Sequence, residues 1–265
     1  MTETQVPIFA FKPDQNREKR ARRHHRPARK YRRVICGKIS AVETGVGRRE
    51  GMRWSWARSM ADDRVVTVPA RQVRATYSAE SITVYQAYSP EIAKPALAAG
   101  RFVPPFKRDR MTWIKPSFLW MMYRCGWATK PGQERVLTVE ITRAGFEWAL
   151  AHACLSHFDP TQHRDHEAWS QQLKVSPVRV QWDPERSLHL GALPYRSLQV
   201  GLSGEAVDRY VNEWTIALTD MTATAQTIRK LLRAGDEQTA AALLPTELPY
   251  PLPAQTAAII AACPA

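Results

Sequence analysis

One stretch of the chain constrains the fold more than any other. This stretch, Arg110–Trp127, reads RMTWIKPSFLWMMYRCGW and combines three tryptophans with two arginines and a lysine. Pro116 and Ser117 predict a helix start, because proline fits the first helical turn and a serine oxygen accepts an unpaired backbone N–H. Gly126 predicts the helix end, because glycine readily adopts the left-handed cap conformation. The predicted order is a short strand, a tight turn and an apolar helix, at Met111–Lys115 and Ser117–Cys125.

The same stretch has two interpretations that remain open. Its apolar residues are typical of the core helix of a small domain. Its three cations, Arg110, Lys115 and Arg124, need an anionic partner or water, because an unpaired buried charge is very costly. They are therefore predicted to face a pocket beside the helix, with Trp113 as an aromatic face on which a base or nicotinamide can stack.

The positive charge of the chain is concentrated at its beginning. The net charge is +13; residues 1–63 hold 16 Lys+Arg against 7 Asp+Glu, and residues 64–265 hold 22 against 18. Residues 1–63 are therefore predicted to be a flexible basic arm. The arm either grips nucleic-acid phosphates or is a solvated tail with no dedicated role. Its candidate nucleic-acid-binding residues are Arg22, Arg23, Arg26, Arg29, Lys30, Arg32 and Arg33.

Residues 64–230 are predicted to form one mixed α+β domain of short strands and helices. Residues 231–265 are predicted to be a helical and proline-rich extension. Strands are expected at Ser81–Ser89, Val136–Ile141, Val175–Asp183 and Ser197–Leu202, where β-branched and aromatic residues dominate. Helices are expected from Pro90 to Gly100, from Ala144 to Leu155, and from about Glu205 through Leu218, and Ser156–Gln172 is expected to be a polar loop.

Cysteine and histidine usage gives little support to a disulfide framework or a metal site. The four cysteines lie far apart, which indicates reduced thiols in a cytoplasmic protein. Cys154, His157, His163 and His166 lie close in sequence, but their spacing matches no closed zinc motif, so no metal is expected. No apolar run reaches the roughly 18 residues that a membrane span needs, so no membrane association is expected.

Two acidic positions are candidate catalytic residues. Asp183 and Glu185 follow a predicted strand two residues apart, so in an extended conformation they share a face and can polarise a hydroxyl or hold a metal. The alternative is a local turn in which Arg186 pairs with its neighbours. Glu205 stands at a strand-to-helix junction, where a first-turn glutamate also simply complements the helix dipole.

Long motifs in this domain resemble the domain-of-unknown-function family 4291. They are VYQAYSPEIA, RMTWIKPSFLWMMYRCGWATK, QERVLTVEITRAGFEWAL, VRVQWDPER and RSLQVGLSGEAV. The resemblance covers roughly residues 68–255 and leaves the basic arm outside.

The order of elements also resembles the fold plan of ADP-ribosyltransferases, with SITVYQAY, PEIAKPALAAG, RMTWIKPSF and a late strand in sequence. The resemblance implies that Tyr85 or Gln86 holds the nicotinamide ribose and that Lys115 or Arg110 meets the pyrophosphate. It further implies that Glu185 or Glu205 stabilises an oxocarbenium-like transition state. The chain departs from that plan because it has no His-Gly-Thr, no Ser-Thr-Ser and no paired Glu-x-Glu.

Three functions are compatible with these sequence features. The first is an NAD-using ADP-ribosyltransferase-like enzyme that acts on a nucleic acid or nucleotide. The second is a non-catalytic RNA- or DNA-binding module that uses the basic arm, and the third is a protein-interaction domain whose tryptophans all lie in the core. The enzyme predicts that Glu185 or Glu205 lines a concave pocket with Arg110 or Lys115, whereas the binding module predicts a continuous basic surface that joins the arm to the domain.

Overall fold

Three small β-sheets and eight helices form the part of the chain that a computed structural model describes, residues 68–263. The α+β prediction is confirmed. The basic arm and its seven candidate cations lie outside the described residues. The strands are β1 (Arg74–Ala75), β2 (Ser81–Tyr88), β3 (Thr112–Ile114), β4 (Arg135–Thr142), β5 (Ala153–Leu155), β6 (Val178–Arg186), β7 (Ala192–Leu202), β8 (Thr215–Asp220) and β9 (Leu248–Pro249).

The helices surround these sheets. They are α1 (Pro90–Ala99), α2 (Phe118–Cys125), α3 (Arg143–Ala151), α4 (His166–Val175), α5 (Glu205–Arg209), α6 (Thr222–Ala234), α7 (Glu237–Ala242) and α8 (Ala254–Ile259), with a π-helical turn at Tyr210–Trp214. Across residues 68–263, the helices are all too short or too polar to cross a membrane.

The two larger sheets are joined at their edges by one backbone contact. The three-stranded sheet has the order β2–β4–β8, and the four-stranded sheet has the order β3–β7–β6–β5, in which only β5 and β6 are parallel. The Tyr85 N–H on β2 donates a hydrogen bond of 2.7 Å to the carbonyl of Lys115, which follows β3. The predicted strand and turn before α2 therefore connect one sheet to the other.

The start and end predicted for α2 are confirmed. The Ser117 hydroxyl oxygen accepts a hydrogen bond of 3.1 Å from the Trp120 N–H, so it satisfies one of the free donors of the first turn. Gly126 ends the helix with φ 61°, which glycine adopts without steric cost. The helix buries Phe118, Met121 and Met122.

In the second half of the chain, the predicted ends of two helices and one predicted loop are wrong. The helix expected through Leu218 ends at Trp214, and Thr215–Asp220 forms β8 because it pairs with β4 at the open edge of the three-stranded sheet. The helix expected to Leu155 ends at Ala151 and is followed by β5. The expected polar loop includes the start of α4. Trp169 anchors this helix, because its indole N–H donates a hydrogen bond of 2.8 Å to the Leu155 carbonyl. Sheet pairing and one side-chain anchor outweigh the local patterns here.

The C-terminal segment, which the sequence separates from the globular domain as an extension, packs into the same core. Tyr250 and Ile260 are buried in the main apolar cluster. The Trp182 indole N–H donates 2.7 Å to the Ile260 carbonyl, and the Cys263 N–H donates 2.8 Å to the Arg71 carbonyl. This packing fixes the chain between α7 and α8 against β1 and the four-stranded sheet.

The contact between α3 and the π-helical turn provides a test of the core. A Cβ at Gly145 would overlap the indole ring of Trp214. Gly145→Ala is therefore expected to lower the free energy of unfolding by about 1–3 kcal/mol through overpacking, although alanine favours helices by about 1 kcal/mol. Urea unfolding measures this change. Gly191→Ala is the control, since its added Cβ meets only the Ser187 side chain; equal stability of the two variants would contradict this packing.

Candidate functional site

The four-stranded sheet has one apolar face and one polar face. Along β6, Val178, Val180 and Trp182 point into the core. The residues between them lie on the opposite face, because side chains alternate along a strand. Together with neighbours from β7 and the end of β3 they form what we call the polar face, which consists of Lys115, Gln181, Asp183, Glu185, Ser197 and Gln199.

Asp183 is held in the middle of the polar face by two amides. The Gln181 Nε2 donates 2.9 Å to one carboxylate oxygen, and the Gln199 Nε2 donates to the other. These two bonds fix the direction of the carboxylate, whose charge raises the pKa of Lys115.

Lys115 is a buried amine on this face. Its Nζ lies 5.0 Å from the centre of the Trp120 ring. The pKa of Lys115 is lowered to about 7, chiefly by burial and also by the charge of Arg124, while Asp183 partly opposes both. Near neutral pH a large fraction of Lys115 is therefore the uncharged amine, which is a better base or nucleophile than an ordinary lysine.

Glu185 lies at the end of β6 on the same face and is only 8 % exposed. The Ser117 hydroxyl donates 2.9 Å to its Oε1, and the Arg186 N–H donates 2.7 Å to the same atom. Burial raises the pKa of Glu185, and the hydrogen bonds from Arg186, Ser117 and Ser197 partly oppose that rise. The carboxylate is therefore oriented by the residue that caps α2.

A second carboxyl group reaches the same place from the C-terminal segment. The Phe118 N–H, which is the first of α2, donates 2.7 Å to the Oε1 of Glu247. The Arg74 guanidinium donates 3.0 Å to the backbone carbonyl of Glu247 and holds this part of the segment. The pKa of Glu247 is raised to about 8, chiefly by burial and also by the nearby charge of Glu185, while the hydrogen bond from the Phe118 N–H and the charge of Arg74 oppose the rise. Burial thus outweighs the helix N-terminus, which favours negative charge.

The two carboxyl groups open onto one cavity of about 210 Å³ between α2, β6, β7 and the C-terminal segment. We call it the carboxylate cavity. Two cations and a phenol line it beside the carboxyl groups, and its polar lining residues are Arg74, Ser117, Glu185, Arg186, Tyr195 and Glu247. A buried acid pair next to fixed cations can bind a ligand that has both hydroxyl and anionic groups.

Two side-chain hydrogen-bond donors, one of them on a residue that lines this cavity, have no acceptor among the described residues. They are the Trp120 Nε1 and the Arg186 Nε, both of which are buried. The Arg186 guanidinium also lies 3.5 Å from the centre of the Tyr123 ring. Because an unpaired buried donor costs about 1–3 kcal/mol, a ligand with acceptor oxygens would be stabilised at this side of α2.

Two other predicted site residues do not line the carboxylate cavity. Gln86 is buried and structural. Its Nε2 donates a hydrogen bond of 3.1 Å to the Trp113 carbonyl, and its Oε1 accepts a hydrogen bond of 2.7 Å from the Tyr210 hydroxyl. Tyr85 is also buried, and its ring packs on Phe118 at 5.4 Å between centroids. These two residues of β2 hold the two sheets together.

The remaining candidates are at or near the surface of the described region. Trp113 is half-buried over Gly201, where an added Cβ would lie 3.0 Å from the indole ring. Arg110 and Arg124 are exposed. Glu205 is exposed in the first turn of α5. Its carboxylate accepts a hydrogen bond of 2.8 Å from the Arg209 Nε, and such a local pair is typical of a glutamate in the first turn of a helix.

Glu247 is absent from the predicted site residues, since nothing in its proline-rich surroundings indicates where the segment folds back. The one local signal is an isolated acid in an apolar stretch, LLPTELPYPLP. Within residues 68–263, no group of three or more His, Cys, Asp or Glu side chains is arranged to hold a metal ion.

The family model described as a domain of unknown function, DUF4291, matches residues 72–250. The chain belongs to this family. The DUF4291 match begins before β1 and ends after β9, so it includes every residue that lines the carboxylate cavity, from Arg74 to Glu247. The basic arm lies outside the DUF4291 region. A comparison with curated proteins found no match.

The raised pKa of Glu247 predicts how stability changes with pH. The folded protein keeps the proton of Glu247 up to about pH 8, whereas the unfolded chain loses it near 4.5. The contribution of this group therefore becomes less favourable as pH rises from about 4.5 to about 8. Relative to the wild type, Glu247→Gln is expected to gain about 1–3 kcal/mol of unfolding free energy over that window.

Urea unfolding of both proteins at pH 4.5 and pH 8 measures this difference, in which the titration of groups that do not interact with Glu247 cancels. Glu167→Gln on the exposed surface of α4 is the matched control and is expected to follow the wild type. The same pH dependence in Glu247→Gln and the wild type would contradict a buried protonated Glu247.

Proposed function

We propose that this DUF4291 protein is an ADP-ribosyltransferase-like enzyme that uses NAD, with the carboxylate cavity as its active site and a nucleic acid or nucleotide as acceptor. The observation that carries this proposal is the placement of Glu185. A buried, hydrogen-bonded carboxylate at a strand end faces a cavity that two arginines also line. Perturbed acids beside fixed cations are characteristic of catalytic sites.

Transfer from NAD breaks the bond between the ribose C1′ and the nicotinamide nitrogen, and positive charge develops on the ribose ring. A carboxylate that is already oriented stabilises such an oxocarbenium-like transition state without reorganising during the reaction. The Ser117 hydroxyl and the Arg186 N–H orient Glu185 in this way. Glu185 is therefore the residue assigned to the transition state, and Ser117 and Arg186 position it.

The size and lining of the cavity indicate which part of NAD it would hold. Its volume of about 210 Å³ is below the roughly 300–1,000 Å³ of sites that enclose a whole ligand of drug size. It would hold the nicotinamide ribose, with the rest of the dinucleotide outside along α2. Arginine is well suited to phosphate oxygens, so Arg186 is assigned to the pyrophosphate, with Lys115 behind it. Tyr123, under Arg186, offers an aromatic face.

Release of nicotinamide from NAD by the full chain tests the proposal. Glu185→Gln keeps the size of the side chain and its Oε1 acceptor, but it removes the negative charge. It is expected to lower kcat by about 10²–10³-fold, because charge stabilisation of this kind has that magnitude. Glu167→Gln is the control and keeps the wild-type rate; Glu205→Gln tests the other predicted carboxylate. A wild-type rate in Glu185→Gln would contradict the role of Glu185.

The basic arm supports the alternative function, a non-catalytic RNA- or DNA-binding module. Ten of the seventeen residues from Arg17 to Arg33 are Lys or Arg. Such a block binds nucleic-acid phosphates with an affinity that falls steeply with salt. A folded full chain that releases no nicotinamide from NAD, yet binds single-stranded RNA in this salt-dependent manner, would favour the alternative.

A further inference from the structure

The carboxylate cavity contains a second acid to which the proposed function gives no role. We propose, on the basis of the transfer reaction above, that Glu247 is the general base that accepts the proton of the acceptor group. Its side chain lines the same cavity as Glu185 but comes from a different part of the chain, since Glu185 belongs to β6 and Glu247 to the C-terminal segment.

The hydrogen bonds of the two acids give them different roles. The Oε1 of Glu185 accepts two hydrogen bonds, from the Ser117 hydroxyl and the Arg186 N–H. Within the described residues, the only hydrogen bond to the carboxyl group of Glu247 is the one from the Phe118 N–H to its Oε1. The Oε2 of Glu247 is thus left for a proton, whereas Glu185 is held as an oriented carboxylate.

The charges around Glu247 fit a base that works near neutral pH. The groups that face it are Arg74 on β1, Tyr85 on β2, Glu185 and Arg186 on β6, and Tyr195 on β7. Burial raises the pKa of both phenols, so they remain uncharged. Burial and Glu185 raise the pKa of Glu247 to about 8 against the attraction of Arg74. A base is most effective when its pKa lies close to the working pH.

The step balances without another reactant. The bond between C1′ and the nicotinamide nitrogen breaks, and its electron pair leaves with neutral nicotinamide. A lone pair of the acceptor forms the new bond to C1′, and the proton of the acceptor passes to the Oε2 of Glu247. Glu247 releases that proton to solvent after the product leaves. The acceptor therefore belongs to the class of neutral hydroxyl or amine groups, which lose a proton when they react.

A comparison of water with azide as the nucleophile distinguishes a general base from a residue that only supports the structure. Water must lose a proton when it reacts, whereas the azide anion has no proton to lose. The full chain is mixed with NAD, and the release of nicotinamide is measured with and without sodium azide. Glu247→Gln keeps the Oε1 that accepts from Phe118, and it is expected to lower hydrolysis by about 10²-fold. Azide is expected to restore the rate of this variant with formation of ribosyl azide. Glu185→Gln is the comparison, and azide is not expected to restore it.

A pH profile and NAD binding complete the test. Wild-type hydrolysis is expected to rise with pH up to about 8 as Glu247 loses its proton. The profile of Glu247→Gln is expected to lack that rise, while NAD binding measured by isothermal titration stays within about twofold of the wild type. Glu247→Asp is expected to recover part of the rate and to keep the rise.

The outcomes distinguish failure of this inference from failure of the proposed function. If the wild type cleaves NAD and Glu247→Gln cleaves it at the same rate, Glu247 is not the base, although the enzyme proposal stands. A slow Glu247→Gln that azide does not restore also overturns the role of base. A folded wild-type chain that does not cleave NAD overturns both proposals.

Discussion

The structure depends on four consecutive residues, Lys115 to Phe118, at the turn between β3 and α2. The Lys115 carbonyl accepts the Tyr85 N–H and joins the two larger sheets. The Ser117 oxygen caps α2, and its hydroxyl donates to Glu185. The Phe118 N–H donates to Glu247 and fixes the C-terminal segment. One turn therefore connects both sheets, a helix and both carboxyl groups of the cavity, so the position of the acids follows from the fold itself.

The site is built from groups whose burial disfavours their charged forms. The pKa of Lys115 falls to about 7 and that of Glu247 rises to about 8, in both cases chiefly because the group is buried. The pKa of Glu185 also rises through burial. A fold selected for stability alone gains nothing from these groups, because well-packed apolar residues serve as well or better. Their gathering at one end of α2 supports the proposed chemical role, since perturbed acids and bases concentrate at functional sites.

The parts that the sequence predicts well are those governed by local interactions. The proline, serine and glycine around α2 each act within one helical turn, so its start and end are readable from the chain. Glu185 is a predicted site residue because strand alternation places it beside Asp183. The long motifs also indicate the family, and the match over residues 72–250 confirms that prediction. By contrast, β8 depends on pairing with β4, and Glu247 depends on how the C-terminal segment folds back. Contacts between distant parts of a chain leave no local pattern to read.

Titration of NAD into the full chain tests most directly whether the carboxylate cavity and its cations form a nucleotide site. Wild-type protein is expected to bind NAD at one saturable site, and Arg186→Gln is expected to weaken that binding by about tenfold, because it removes a charged phosphate contact worth about 1.5–3 kcal/mol at most. Arg233→Gln, on the exposed last turn of α6, is the matched control and is expected to bind as the wild type does. Absence of saturable binding by the folded wild type, or equal affinity in Arg186→Gln, would contradict the account.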